Sequence, residues 1–172
     1  VQQLLPGFAG SAVLDADGLN AAARLLAEGG AFPHPAGKLI VTPHPGEMAR
    51  LTGLSAAQIN ADREGTALRY AQAWNAVVVL KGARTVVAAP DGRVRVNPTG
   101  NPGLSRGGSG DVLAGMTAAL LACRLPAYEA AACAVYLHGA AADRAAAVHG
   151  EYGMLPHDIL PELGRMFAEH QR

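Results

Sequence analysis

The sequence predicts an α/β protein, a layered domain built on a mostly parallel sheet. Two observations carry that prediction. Unbroken runs of branched residues, "LIVT" at Leu39–Thr42 and "AVVVL" at Ala76–Leu80, lack the polar alternation of a half-exposed strand and suit strands buried on both faces. Between them lie segments whose apolar residues recur at helical spacing, so strand and helix signals alternate along the chain.

The elements follow in order. "SAVLDAD" is a short apolar run ending in aspartates, and "GLNAAARLLAEGG" after it spaces Leu19, Ala22, Leu25 and Leu26 as one helical face before a Gly-Gly stop. Asp17 reads as the N-cap of that helix in preference to a substrate contact. "GKLIVTPHPGEMARLTG" repeats the unit: a strand, a Pro-rich turn and a short helix starting near Glu47. Ser55–Trp74 reads as one long amphipathic helix leading into "AVVVLKG", and "TVVAAPDGRVRV" reads as two strands joined by a Pro-Asp-Gly-Arg turn. Helices are expected over Ser109–Cys123, Ala127–His149 and His157–Glu169. No repeat or linker interrupts residues 1–172, which read as one unit.

Composition narrows the function. With 14 basic and 14 acidic residues the formal net charge of the 172-residue chain is zero, and no basic stripe is present, which argues against nucleic acid or an anionic membrane as partner. The apolar runs are too short to span a bilayer, and "VQQLLPGFAG" lacks the charged start of a signal peptide, so a cytoplasmic protein with a small-molecule partner is expected. Cys123 and Cys133 show no metal or redox spacing and read as small buried residues without chemistry.

In an α/β layered domain, ligands gather where strands end at their carboxyl side. The run "NPGLSRGGSGDVLAG" places small residues directly before a helix, so the backbone N–H groups of Gly107, Gly108, Ser109 and Gly110 can approach an anion at the helix N-terminus. The spacing matches neither GxxxxGK[ST] nor a full GxGxxG. What remains is a phosphate cradle with a carboxylate, Asp111, one residue after the last glycine, placed to take a proton from a hydroxyl attacking that phosphate. Taken alone, the same residues also suit a flexible loop with Ser109 as N-cap and Asp111 as a favourable first-turn acid. "VVLKGART" sets Lys81, the backbone of Gly82 and Ala83, Arg84 and the Thr85 hydroxyl at a strand end, where they would hold nucleotide phosphates or simply form a solvated turn. "TPHPGE" holds His44 rigidly between two prolines, with Glu47 opening a helix; a structural histidine and a dipole-satisfying acid explain them as well. His138 in "VYLHGAAAD" reads as a packed residue and Asp143 as a polar-rim one.

Together, "LDADGLN", "TPHPGEMARL", "VVLKGART", "NPTGNPGLSRGGSGDVLAG" and "YLHGAAAD", in this order, resemble the ADP- or ATP-dependent NAD(P)H-hydrate dehydratase family, the carbohydrate-kinase-like domain of a metabolite-repair system. The resemblance runs from about Leu14 to the final helix. It implies a ribokinase-like three-layer α/β/α fold, dehydration of hydrated NADH or NADPH (NADHX, NADPHX), ADP or ATP as phosphate donor, and Mg²⁺. It further implies that His44 and Asp111 contact the hydrate, that Lys81, Gly82, Ala83, Arg84 and Thr85 form a nucleotide-binding segment with Gly110 as a further contact, and that Glu47 supports magnesium indirectly. Leu104 stands where the family has methionine, a nearly volume-conserving change, and Arg106 lies inside the loop. The family's domain starts upstream of Val1, so the expectation is a fold lacking its N-terminal portion, with an exposed sheet edge that favours a homo-oligomer and an NAD(P)HX epimerase as fused domain or partner. A small-molecule kinase sharing the cradle and base, or a nucleotide-binding module without catalysis, are the competing readings.

Overall fold

The protein's structure is a computed structural model that describes residues 1 and 3–170. Its elements are β1 (Ala12–Leu14), α1 (Asp17–Ala27), β2 (Leu39–Val41), α2 (Pro45–Thr52), α3 (Ala56–Ala61), α4 (Arg63–Trp74), β3 (Val77–Leu80), β4 (Val86–Ala88), β5 (Val94–Val96), α5 (Ser109–Ala122), α6 (Ala127–His149) and α7 (Ile159–His170), with single 3-10 turns at Pro102–Ser105 and Pro156–Asp158. The five strands form one sheet in the order β1-β2-β3-β4-β5. β1, β2 and β3 pair in parallel, with Val13 opposite Ile40 and Val41 opposite Val78. β4 runs antiparallel to both β3 and β5, so β5 points the same way as β1–β3 and only β4 is reversed.

Strand geometry sends successive side chains to opposite faces, and the sheet uses both. Leu39, Val41, Val78, Leu80, Val86 and Ala88 face a layer made by α1–α4, where they pack with Leu19, Met48, Ile59 and Trp74. Ile40, Val77, Val79 and Val87 face the other way, onto Leu113 of α5 and Ala131, Ala134 and Val135 of α6. A third cluster joins α6 to α7 through Ala141, Ala142, Ala145, Ile159 and Met166. The continuous apolar strands are explained by this arrangement: Ile40, Val78, Val79 and Leu80 are each fully buried, and each such aliphatic side chain contributes about 1.5–3 kcal/mol by leaving water. Helices on both faces of the sheet give the expected three layers.

Four local expectations need correction. Residues 55–74 form two helices, because Asp62 leaves helical geometry (φ −141°, ψ 77°) and its carboxylate accepts from the Gly65 N–H, capping α4 afresh. Asp17 does not cap α1; Ala16 stands at the N-cap with φ 47° and no side-chain bond, and Asp17 lies in the first turn, where its charge suits the helix dipole. Ser109 is the first residue of α5 and not its cap, a position held by Gly108 at φ 96°, a conformation only glycine adopts cheaply. Cys123, at the end of α5, and Cys133, on α6, are exposed instead of buried.

Candidate active site

Parallel strands deliver their following loops to one end of the sheet. Here Asp15 follows β1, His44 and Glu47 follow β2, Lys81–Thr85 follow β3 and Asn97 follows β5, and these segments, with the start of α5 and the middle of α6, line a cavity of about 850 Å³. His44, Glu47, the Lys81–Thr85 turn and Gly107–Asp111, singled out from the sequence, lie on its wall, whereas Asp17 and Asp143 do not.

The ends of β1, β2 and β3 meet in an ion cluster. Lys81 Nζ donates to Asp15 Oδ1 at 2.7 Å and lies 3.7 Å from Glu47 Oε2, all three side chains being largely buried. Burying two carboxylates around one ammonium leaves net negative charge under the cavity, a cost that close pairing offsets. Gly110 closes over this cluster: a Cβ there would sit 3.4 Å from Lys81 Nζ and 3.6 Å from Asp15 Oδ2, so the first turn of α5 rests directly on the ion pair. Lys81 therefore faces the helix N-terminus from below with its charge already engaged.

His44 is the cap of α2. Its Nδ1 accepts from the N–H groups of Gly46 (3.0 Å) and Glu47 (3.3 Å), while Glu47 Oε2 accepts from the His44 N–H at 2.8 Å, a reciprocal capping box. These bonds assign the ring proton to Nε2, which lies 3.5 Å from Glu47 Oε1 on a half-exposed side chain. The ring is thereby held in one orientation on the cavity wall. It explains why α2 begins at Pro45, two residues before the point read from the sequence.

The β3–β4 turn is held from outside. Arg63, the first residue of α4, donates to the carbonyls of Leu80 (2.9 Å) and Lys81 (3.2 Å), and burial lowers its pKa. Thr85 Oγ1 donates back to the Gly82 carbonyl at 3.1 Å, while Gly82 and Arg84 take positive φ values of 148° and 58°. Asp111 is exposed in the first turn of α5, on the cavity wall. Beside it the cradle is open: a Cβ at Gly107 would meet no atom within 4 Å.

Sequence reasoning missed several wall residues. In "LDADGLN" it weighed Asp17, yet Asp15 is the aspartate that enters the site, one residue after the strand's last buried side chain. His138 is packed as expected, at 6% exposure, but it also reaches the cavity wall with Nε2 unpartnered, next to Ser109, whose buried Oγ is unpartnered too. Burial pushes the His138 imidazole down to about 4, against a backbone hydrogen bond with Ser109, so the ring is neutral. Among the described residues, no three His, Cys, Asp or Glu side chains converge on a cation site.

Helices on both faces of one mostly parallel sheet, with a glycine-rich helix start and a carboxylate at the carboxyl ends of its strands, give the architecture of a ribokinase-like α/β protein. Comparison with solved structures agrees: the ADP/ATP-dependent NAD(P)H-hydrate dehydratase of Bacillus subtilis, co-crystallised with ATP/Mg²⁺, superposes with a TM-score of 0.83 at 38% identity, over 92% of this chain and 55% of that one. A ribokinase-like superfamily protein of Enterococcus faecalis superposes at 0.77 with 30% identity, covering 91% of this chain and 52% of that one. Residues 2–165 match the family model described as NAD(P)H-hydrate dehydratase, and the chain belongs to that family. Among curated relatives, the bifunctional NAD(P)H-hydrate repair enzyme of Moorella thermoacetica is 51% identical over 93% of this chain and 30% of its own length. The ADP-dependent (S)-NAD(P)H-hydrate dehydratase of Neisseria meningitidis is 48% identical over 76% of this chain and 44% of its own length. The chain thus spans less than half the length of these curated relatives.

Proposed function

We propose that this chain carries the phosphoryl-transfer site of an ADP- or ATP-dependent dehydratase that returns NADHX and NADPHX to NADH and NADPH. The observation that supports it is the meeting, in one cavity, of an open glycine cradle at the start of α5, the exposed Asp111 carboxylate and the Lys81–Thr85 turn. Asp111 takes the proton from the C6 hydroxyl of the hydrated nicotinamide, and that oxygen attacks the terminal phosphorus of the nucleotide, forming one P–O bond as the bond to the departing nucleotide breaks. The amides of Gly107–Gly110 stabilise charge developing on the transferred group. The ring nitrogen's electron pair then expels C6-bound phosphate, and loss of a C5 proton restores the dihydropyridine. His44 and Asp111 hold the hydrate; Lys81, Gly82, Ala83, Arg84, Thr85 and Gly110 hold the nucleotide.

Magnesium fits this site as a companion of the nucleotide phosphates, where it offsets their charge, since Mg²⁺ needs only one or two carboxylates beside phosphate oxygens. Both Glu47 oxygens face partners in His44 and Lys81, so Glu47 suits an indirect role, orienting those two groups. The reading extends to a cytoplasmic homo-oligomer working with an NAD(P)HX epimerase as fused domain or partner. The reaction is followed at the reduced-nicotinamide absorbance band with hydrated NADH, Mg²⁺ and ADP or ATP. Asp111→Asn is expected to lower kcat by at least about 100-fold with nucleotide affinity retained. Near-normal turnover by Asp111→Asn would sink the base assignment, and accumulation of a stable phosphoester without reduced nicotinamide would mark a kinase instead.

A further inference from the structure

The segment from Asn97 to Arg106 forms one wall of the cavity and runs into the cradle. It has little regular structure of its own, so its backbone groups need partners elsewhere. They find them on α6. Asp143 accepts from the Gly100 N–H through Oδ2 at 2.9 Å and from the Asn101 side-chain amide through Oδ1 at 3.0 Å. Thr99 Oγ1 donates to the Tyr136 carbonyl at 2.9 Å. Gly139 makes the approach possible: a Cβ there would overlap Thr99 Oγ1 and fall 2.7 Å from the Thr99 carbonyl carbon and 2.9 Å from the Gly100 nitrogen.

The attachment continues towards the cradle through bonds in series. Asn101 Oδ1 accepts from the Gly103 N–H at 3.0 Å, capping the 3-10 turn at Pro102–Ser105, and the next carbonyl, of Arg106, accepts from the Ser109 N–H at 3.3 Å. The Arg106 guanidinium donates to the Tyr152 carbonyl, beyond the end of α6. "YLHGAAAD" thus spaces Gly139 and Asp143 four apart, one helical turn, so that the glycine admits the wall and the carboxylate grips it.

We propose that Asp143 is a positioning residue for the reaction in this cavity: by holding Gly100 and Asn101 it fixes the wall and, through Asn101 and the 3-10 turn, sets the cradle amides relative to Asp111. The inference rests on the dehydratase reading, and it places its effect on turnover: Asp143 lies off the cavity wall, and a displaced cradle weakens stabilisation of the transferring phosphate more than binding of the nucleotide.

The test is a swap. In the full chain, Asp143→Ala is expected to speed amide hydrogen exchange in peptides spanning residues 98–110 and to lower kcat about tenfold, with nucleotide affinity near that of the wild type. Asp143→Asn alone leaves Asn101 facing an amide, and Asn101→Asp alone sets two carboxylates against each other; both are expected to be impaired. The double variant Asp143→Asn/Asn101→Asp rebuilds the set with donor and acceptor exchanged in the bond between the two side chains alone: the new amide donates to residue 101, while its oxygen still accepts from Gly100 and the new carboxylate still accepts from Gly103. It is expected to recover slow exchange and kcat together. Wild-type exchange and kcat in Asp143→Ala would overturn the proposal, as would a double variant no better than the single ones. A wild-type chain that fails to turn over hydrated NADH would instead remove the dehydratase reading, with the exchange series still deciding the grip of Asp143 on the wall.

Discussion

Acid should destabilise this protein through His138, and the size of the effect follows from its surroundings. The ring is 6% exposed on α6, its Nε2 has no hydrogen-bond partner, and burial holds its pKa near 4 against an ordinary 6.5. In the unfolded chain the same imidazole takes up its proton as the pH falls through about 6.5, while the folded ring stays neutral down to about 4. The unfolded state therefore binds more protons across that window, so His138 costs nothing above it and stability is lost as the pH falls through it. At about 1.4 kcal/mol per pH unit the loss reaches about 3 kcal/mol near pH 4, an upper bound because water in the adjoining cavity softens the desolvation. Urea unfolding of the wild type and of His138→Gln, measured in steps from pH 7.5 to 4.5, separates this from the carboxylates, which titrate in both proteins. The two curves should be nearly parallel above pH 6.5 and converge or cross below it, the wild type losing stability faster. Parallel curves throughout, or an NMR titration of the His138 ring with a midpoint near 6.5, would refute the reasoning.

Two further outcomes test the scaffold. Arg63→Met removes the donor from the Leu80 and Lys81 carbonyls, and since hydrogen bonds to charged groups contribute about 1.5–3 kcal/mol, the urea midpoint should fall accordingly; an unchanged midpoint would show that the turn after β3 does not depend on it. Cys123 and Cys133 are exposed and free, so a thiol reagent should label both in the native chain without unfolding it, and labelling only after denaturant is added would contradict their placement.

The fold was legible where one physical cause dominated. Strands such as Leu39–Val41 and Val77–Leu80 announce themselves because a residue buried on either face must be apolar, and the glycine cradle because only small residues leave backbone amides bare. What sequence could not rank was competition between two local solutions. Residues 55–74 carry one amphipathic pattern, but Asp62 offers Gly65 a cap that helical continuation would forgo. His44 looks like a ligand contact or a structural ring, and the geometry shows its Nδ1 occupied in capping α2 while the residue still lines the cavity. Least legible was anything made by distant segments: Asp15 and Lys81 are 66 positions apart, and Gly100 and Asp143 are 43 apart. No periodicity links such pairs, and only the parallel crossovers and the packing of α6 bring them together.

The break at Asp62 carries a consequence for how this scaffold can vary. Because α4 is capped afresh, Arg63 takes its register from Asp62 and not from α3. The two helices meet at a joint with its own stop, and α3 is tied across it by Ile59 in the core and by Asn60 Oδ1, which accepts from Arg63 Nη1 at 3.2 Å. Relatives or engineered variants should accept substitutions at the exposed positions Ala56, Ala57 and Ala61 while the Arg63 clamp stays in place, whereas a single residue inserted between Asp62 and Gly65 would turn the guanidinium away from the strand end it holds.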